Sequence, residues 1–274
     1  MSDSRPIGVF DSGLGGLTVV REIFRCMPGE RVIYFGDTAR VPYGGRSVSA
    51  IKRFGMQDAR FLLSMDIKML IVACNTVSSV GLAHIREGVT EIPVIGVVLP
   101  GSRAAALRTA ERKIGVIGTR ATVGSEAYTQ ALHNIDNGLR VYSKACPLFV
   151  PLVEEGLIDT DFTRMVAQHY LYELVDTGID CLILGCTHYP LLMETILATV
   201  GTRVQLLDSA FWTAKEAADI LSALGARHPE HGSGFAESRF FVSDKTPNFD
   251  QVARRFLGQE IQDIETIELE DIGE

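Results

Sequence analysis

The chain has 274 residues, 46% hydrophobic and 22% charged, which is enough apolar material for one large core or two smaller ones and excludes a disordered chain. Its formal net charge of -8 argues against a nucleic-acid or anionic-membrane surface, since both would repel an acidic protein. No apolar run is long enough to span a bilayer, and Met1–Arg5 is not followed by a signal-peptide core, so a cytoplasmic location is expected.

In chain order, short apolar runs alternate with longer amphipathic segments. Strands are predicted over Pro6–Phe10, Arg31–Phe35, Met69–Ala73, Val94–Val98, Ile114–Gly118, Leu139–Ser143, Cys181–Gly185 and Val204–Leu207. Each is rich in Val, Ile or Leu, as strands buried on both faces of a parallel sheet are. The segments between them read as helices, for instance Ser47–Met65 and Thr160–Thr177, with apolar residues three and four apart. Alternating strand and helix predicts an α/β protein with right-handed crossovers.

The chain also matches itself. Met69–Thr76 (MLIVACNT) aligns with Cys181–His188 (CLILGCTH), Gly8–Ser12 (GVFDS) with Gly115–Thr119 (GVIGT), and Val41-Pro42 with Val150-Pro151. The matches share one order and nearly equal spacing, which suggests two related halves. The expectation is two similar doubly wound domains with parallel sheets, related by a pseudo-twofold axis. The first would comprise residues 1–98 plus 210–274, the second 99–209, with hinges at Pro100-Gly101 and near Ser209. Open α/β sheets bind ligands at the carboxyl ends of their strands. Cys74 and Cys186, each just after an apolar strand, would then face one shared cleft.

Two thiols on opposite sides of a cleft suit inversion of a stereocentre, which needs a base on one face and an acid on the other. Asn75 and Thr76 follow the first cysteine; Thr187 and His188 follow the second, and His188 could hold or relay a proton. The plain alternative is that both cysteines are small hydrophobes ending buried strands. The five cysteines (Cys26, Cys74, Cys146, Cys181 and Cys186) fit reduced thiols better than a disulfide framework. Cys181, Cys186 and His188 lack zinc-knuckle spacing, so no metal is expected. The cleft segments contain no lysine for a pyridoxal Schiff base.

The segment Phe10–Leu17 (FDSGLGGL) joins a strand to a helix with glycines that admit close backbone approach, but it has no Gly-Lys-Ser/Thr ending of a phosphate loop. Asp11 disfavours phosphate there and suits an ammonium group or the orientation of Cys74; Ser12 could instead cap the helix. Residues 36–46 form a polar loop whose backbone could hold a carboxylate, or could simply be a turn. Thr119 and Thr122 could bind another carboxylate or cap the next helix.

These segments together carry a resemblance. Phe10–Val19, Asp37–Arg40, Pro42–Gly44, Ala73–Thr76, Phe149–Glu154, Gly185–Leu191 and the closing Ala253–Gly258 resemble the glutamate racemases of the aspartate/glutamate racemase superfamily, in the expected order. The resemblance implies interconversion of L- and D-glutamate without cofactor, for bacterial peptidoglycan, by a homodimer. It implies that Cys74, with Asp11, takes the α-proton from D-glutamate. Cys186, with His188 and Glu154, would take it from L-glutamate, although Glu155 leaves that carboxylate open to a slip of one. Asp11, Ser12, Pro42, Tyr43, Gly44, Asn75, Thr76, Thr119, Thr122 and Thr187 match the family's substrate-binding positions. The chain begins close to its first strand, so activation by a peptidoglycan precursor through an N-terminal extension is not expected. An aspartate racemase or a decarboxylase of the same superfold would share these features. A non-catalytic amino-acid sensor would not need cysteine at both strand ends.

Overall fold

The computed structural model describes residues 2–229, 234–247 and 249–268. In the first part of the chain the elements are β1 (Ile7–Asp11), α1 (Leu17–Cys26), β2 (Val32–Gly36), α2 (Val48–Leu63), β3 (Met69–Val72), α3 (Asn75–Val80), α4 (Leu82–Gly88), β4 (Val94–Gly96) and α5 (Val98–Arg108). There follow β5 (Lys113–Gly118), α6 (Arg120–Gly124), α7 (Ala127–Ile135), β6 (Arg140–Ala145), α8 (Phe149–Glu154), α9 (Asp161–Asp176), β7 (Cys181–Gly185), α10 (Met193–Val200) and β8 (Gln205–Asp208). The chain ends with α11 (Ser209–Ala223), β9 (Arg239–Val242), α12 (Phe249–Leu257) and β10 (Ile264–Thr266). Residues 269–274, the tail of the segment expected to rejoin the first half, lie outside the described residues.

The strands form two sheets, both parallel throughout. One has the order β10-β9-β2-β1-β3-β4 and the other β6-β5-β7-β8. The order β2-β1-β3-β4 in the first sheet is repeated as β6-β5-β7-β8 in the second, and the register repeats as well. Gly8 pairs with Leu70, and Gly115 pairs with Leu182. The same side-chain contact recurs beside each glycine: a Cβ on Gly8 would stand 2.5 Å from Ile67 Cδ1, and one on Gly115 would stand 2.7 Å from Ile179 Cδ1. Both glycines are needed for close approach of the residue that leads into the neighbouring strand. The third match is looser. Pro42 precedes a short 3-10 turn (Tyr43–Gly45), whereas Pro151 lies inside α8.

The eight predicted strands coincide with β1 to β8 to within three residues at either end. β1 begins at Ile7 because Pro6 has no N–H to give the ladder. β4 ends at Gly96, and Pro100-Gly101, expected as a hinge, lies in the first turn of α5, where the missing proline N–H is not needed. Ser47 and Thr160 cap α2 and α9 by accepting from the amides of Ala50 and Thr163. β9 and β10, unanticipated, extend the first sheet past β2.

An apolar core runs without a break through both halves. It includes Val9, Leu17, Ile23 and Ile71 from the first sheet and its helices, and Phe149, Leu171, Leu182 and Leu184 from the second. Burying such side chains stabilises the fold by roughly 1.5–3 kcal/mol each. Two satellite clusters fill the far faces, one under α2 and α4 around Ile51, Leu62 and Ile85, the other under α5 and α7 around Val116, Leu132 and Ile183. The core positions β1, β3, β5 and β7 centrally, with their carboxyl ends toward the residues described next.

Candidate active site

Asp11 is the last residue of β1 and Cys74 follows β3 as the N-cap residue of α3. Both are buried, at 1% and 4% exposure. Cys74 Sγ lies 3.4 Å from Ser12 Oγ. Ser12 does not cap α1, whose N-cap residue is Gly16; it faces the thiol instead. Burial raises the Asp11 carboxyl above the ordinary range, opposed by the His188 cation and by the amides of Gly16, Gly13 and Ser12. Burial, and then the Asp11 charge, push the Cys74 thiol up to about 12. An ammonium group brought between the two would favour the thiolate by the same Coulombic argument.

Cys186 follows β7 and is 7% exposed. Its Sγ lies 3.9 Å from His188 Nδ1, while His188 Nε2 lies 3.1 Å from Glu154 Oε1, so the imidazole bridges thiol and carboxylate. Burial would lower the His188 pKa, but Cys186 and Glu154, one on each ring nitrogen, outweigh it and raise it to about 10. An imidazolium with two donors satisfies both neighbours. Glu154 ends α8 and reaches the ring, whereas Glu155 is exposed.

The two halves touch through polar groups. Thr76 Oγ1 lies 3.0 Å from Thr119 Oγ1, which lies 3.0 Å from Thr122 Oγ1 and accepts from Thr122 N at 3.1 Å. Thr119 therefore caps α6, one of its two expected roles, and joins a hydroxyl cluster with Thr76 and Thr122. Gly44 packs on Thr119, since a Cβ there would be 2.8 Å from Thr119 Cβ. Asn75 Nδ2 donates to Tyr128 Oη at 2.8 Å, and Tyr128 Oη lies 3.2 Å from Ser209 Oγ, which donates to Leu184 O at 3.1 Å. Leu184 O can only accept, so the chain has one direction and fixes the Asn75 amide.

The loop carrying Pro42, Tyr43 and Gly44 rests on a buried charge cluster. Asp37 and Asp58 are both fully buried. Arg40 bridges them, with Nε 2.5 Å from Asp37 and Nη2 2.9 Å from Asp58. Tyr43 Oη donates to Asp37 and lies 3.2 Å from Asp58, so its hydroxyl is taken up within the charge cluster. Pro42 is exposed, after a cis peptide bond. Burial raises Asp58 well above the ordinary carboxylate range, and Asp37 raises it further.

Of the residues flagged by sequence, Asp11, Ser12, Cys74, Asn75 and Thr76 gather on one side. Thr119, Thr122, Glu154, Cys186, Thr187 and His188 gather on the other. Sequence reasoning missed Tyr128 and Asp58, and held Asp37 and Arg40 only as the ends of a motif, with no role for either. Of Tyr128 and Asp58, Asp58 left a signal, as an acid on the apolar face of α2 beside Ile51, Ala59 and Leu62.

The family described as Asp/Glu/Hydantoin racemase matches residues 7–217. A glutamate racemase of Geobacter metallireducens is 46% identical over 266 residues, 97% of each chain. The crystal structure of glutamate racemase from Francisella tularensis in complex with D-glutamate superposes with a TM-score of 0.91 at 38% identity, covering 98% of this chain and 99% of that one. The Bacillus anthracis isoform RacE1 superposes with a TM-score of 0.92 at 42% identity, over 97% and 98% of the two chains. With two sheets of one order, a cysteine at each equivalent strand end and relatives matched over nearly their whole length, the chain belongs to the Asp/Glu/hydantoin racemase family and, within it, to the glutamate racemases.

Proposed function

We propose that this protein interconverts L- and D-glutamate by proton transfer at the α-carbon, without an added cofactor, using Cys74 and Cys186 on opposite faces of the substrate. The observation that carries this reading is the pair of buried thiols at equivalent strand ends, each with its own proton-handling partner: Asp11 and Ser12 beside Cys74, His188 and Glu154 beside Cys186. Inversion requires a base and an acid on opposite faces, and positioned groups of this kind contribute roughly 10²–10⁴-fold each.

On this reading Cys74 takes the α-proton from D-glutamate and Cys186 takes it from L-glutamate. The second thiol then returns a proton to the opposite face, so the two cysteines exchange protonation states in each turnover. Asp11 suits the ammonium group, and the Thr76, Thr119 and Thr122 hydroxyls with the Tyr43-Gly44 backbone suit a carboxylate. Ser12, Pro42, Asn75 and Thr187 complete the proposed substrate-contact set. The names of the relatives support glutamate over aspartate. We read residues 1–98 with 210–274 as one domain and 99–209 as the other. The product would feed peptidoglycan synthesis in the cytoplasm. A homodimer goes with the same reading, to be checked by light scattering.

The test is circular dichroism of L-glutamate, with L-aspartate in parallel, on protein without added cofactor. Glutamate ellipticity should decay to zero while aspartate stays flat, and Cys74→Ala or Cys186→Ala should each slow the decay by about 10²–10⁴-fold. Activity that survives in both variants would sink the two-base mechanism, and loss of signal from aspartate alone would overturn the substrate.

A further inference from the structure

Glu154 is the last residue of α8, a helix of six residues whose final carbonyls have no partner inside the helix. Val153 O accepts from Gly156 N just beyond the helix, and Arg255, from α12 near the other end of the chain, supplies further donors. Its Nη1 donates to Val153 O at 2.7 Å and to Glu154 O at 3.2 Å. The cation also sits where the helix dipole favours positive charge. The chain leaves α8 through Gly156 at φ 76°, and a Cβ there would stand 2.6 Å from Arg255 Nη2. A glycine thus lets the backbone turn under the guanidinium.

The next residue of α12, Phe256, is fully buried, and its ring meets His188 edge-on with centroids 4.9 Å apart. Consecutive residues of one helix therefore hold both members of the Glu154–His188 pair, one through its backbone and the other through its ring. The clamp on the Val153 and Glu154 carbonyls also sets which of two adjacent carboxylates, Glu154 or Glu155, faces the imidazole.

We infer that Arg255 and Phe256 are positioning residues for the Cys186 half of the reaction, acting through Glu154 and His188. The inference rests on the two-cysteine reading above. It assigns α12 a role in proton transfer at one face of the substrate and none at the other. Displacing a reacting group by about 1 Å can cost about 10²-fold in rate, so a loose clamp is costly without any lost contact to substrate.

The two directions of a racemase share one value of kcat/KM, because enantiomers have equal free energy; the isotope effects, however, are free to differ. In Arg255→Met, which keeps the aliphatic length and removes the donors, kcat/KM should fall about 10–100-fold. The primary isotope effect with α-deuterated L-glutamate should rise, because removal of its proton by Cys186 becomes more rate-limiting. That with α-deuterated D-glutamate should fall toward unity. Arg255→Lys, which retains one charged donor, should recover most of the rate. Phe256→Leu should show the same isotope pattern more weakly, and it serves if the methionine variant fails to fold. A loss of kcat/KM with unchanged isotope effects, or no loss at all, would overturn the positioning role. Cys186→Ala, assayed alongside, keeps the two failures apart: its loss of racemisation with unchanged isotope effects in Arg255→Met sinks only the positioning role, whereas its full activity sinks the two-cysteine reading.

Discussion

Gly15 of the first half lies against Thr187 of the second so closely that a Cβ on it would stand 2.1 Å from Thr187 Oγ1, and 2.7 Å from His188 Nδ1. Cys74 and Cys186 are nearly buried, and on the two-cysteine reading we expect substrate to enter as this contact opens. Gly15→Ala should hold the halves apart. Its φ is not left-handed, so the local backbone tolerates alanine. We expect kcat/KM to fall about 10²-fold with far-ultraviolet circular dichroism unchanged. A fully active alanine variant would show that this approach is not needed for turnover.

Tyr128 carries no motif, yet it fixes the Asn75 amide through the chain that ends at Leu184 O. Tyr128→Phe keeps the ring and removes the link. Stability should fall by about 1–2 kcal/mol, and KM for glutamate should rise roughly 5–10-fold with kcat less affected. Steady-state kinetics in both directions with urea unfolding would check both; a KM that stays put would free Asn75 from this dependence.

Removing the cation from a buried pair of carboxylates leaves uncompensated charge. Arg40→Leu should therefore destabilise the protein by about 3–5 kcal/mol near neutral pH. The sign of the pH dependence follows from the direction of the Asp58 shift. A carboxyl held above its ordinary value destabilises the fold when ionised, and that cost fades as protons bind. The deficit relative to wild type should shrink between pH 8 and pH 5 in urea melts. A deficit that grows with acid would contradict the shared-charge account.

His188 gives the opposite edge of the pH range. Its folded pKa of about 10 lies above the unfolded value of 6.5, so its stabilising contribution is complete below about 6.5 and is lost as pH rises through about 10. The stability gap between wild type and His188→Asn should therefore be widest near pH 6 and close by pH 10. Chemical denaturation at three pH values would measure it, and a gap independent of pH would mean that the imidazole is not held protonated by Cys186 and Glu154.

Local pattern carried much of this architecture. Runs of four to six largely apolar residues mark β1, β2, β3, β5 and β7, because both faces of a central parallel strand are buried; the end strands β4, β6 and β8 are shorter or more exposed and are marked by fewer apolar residues. The repeat around Cys74 and Cys186 foretold two sheets of one order, since residues contiguous in the chain hold each cysteine at its strand end. β9 and β10 left little trace: four and three residues are too short to show a period, and the pairing of β9 onto β2 and of β10 onto β9 makes them strands. Only the tertiary structure could decide that Tyr128 serves Asn75, that Arg40 joins Asp37 to Asp58, and that Arg255 and Phe256 reach Glu154 and His188. It also decided between Glu154 and Glu155, neighbours that no periodicity separates. The reason is physical: hydrophobic spacing states which face of an element is buried, whereas a hydrogen bond between distant residues depends on how whole elements pack, to within a fraction of an ångström.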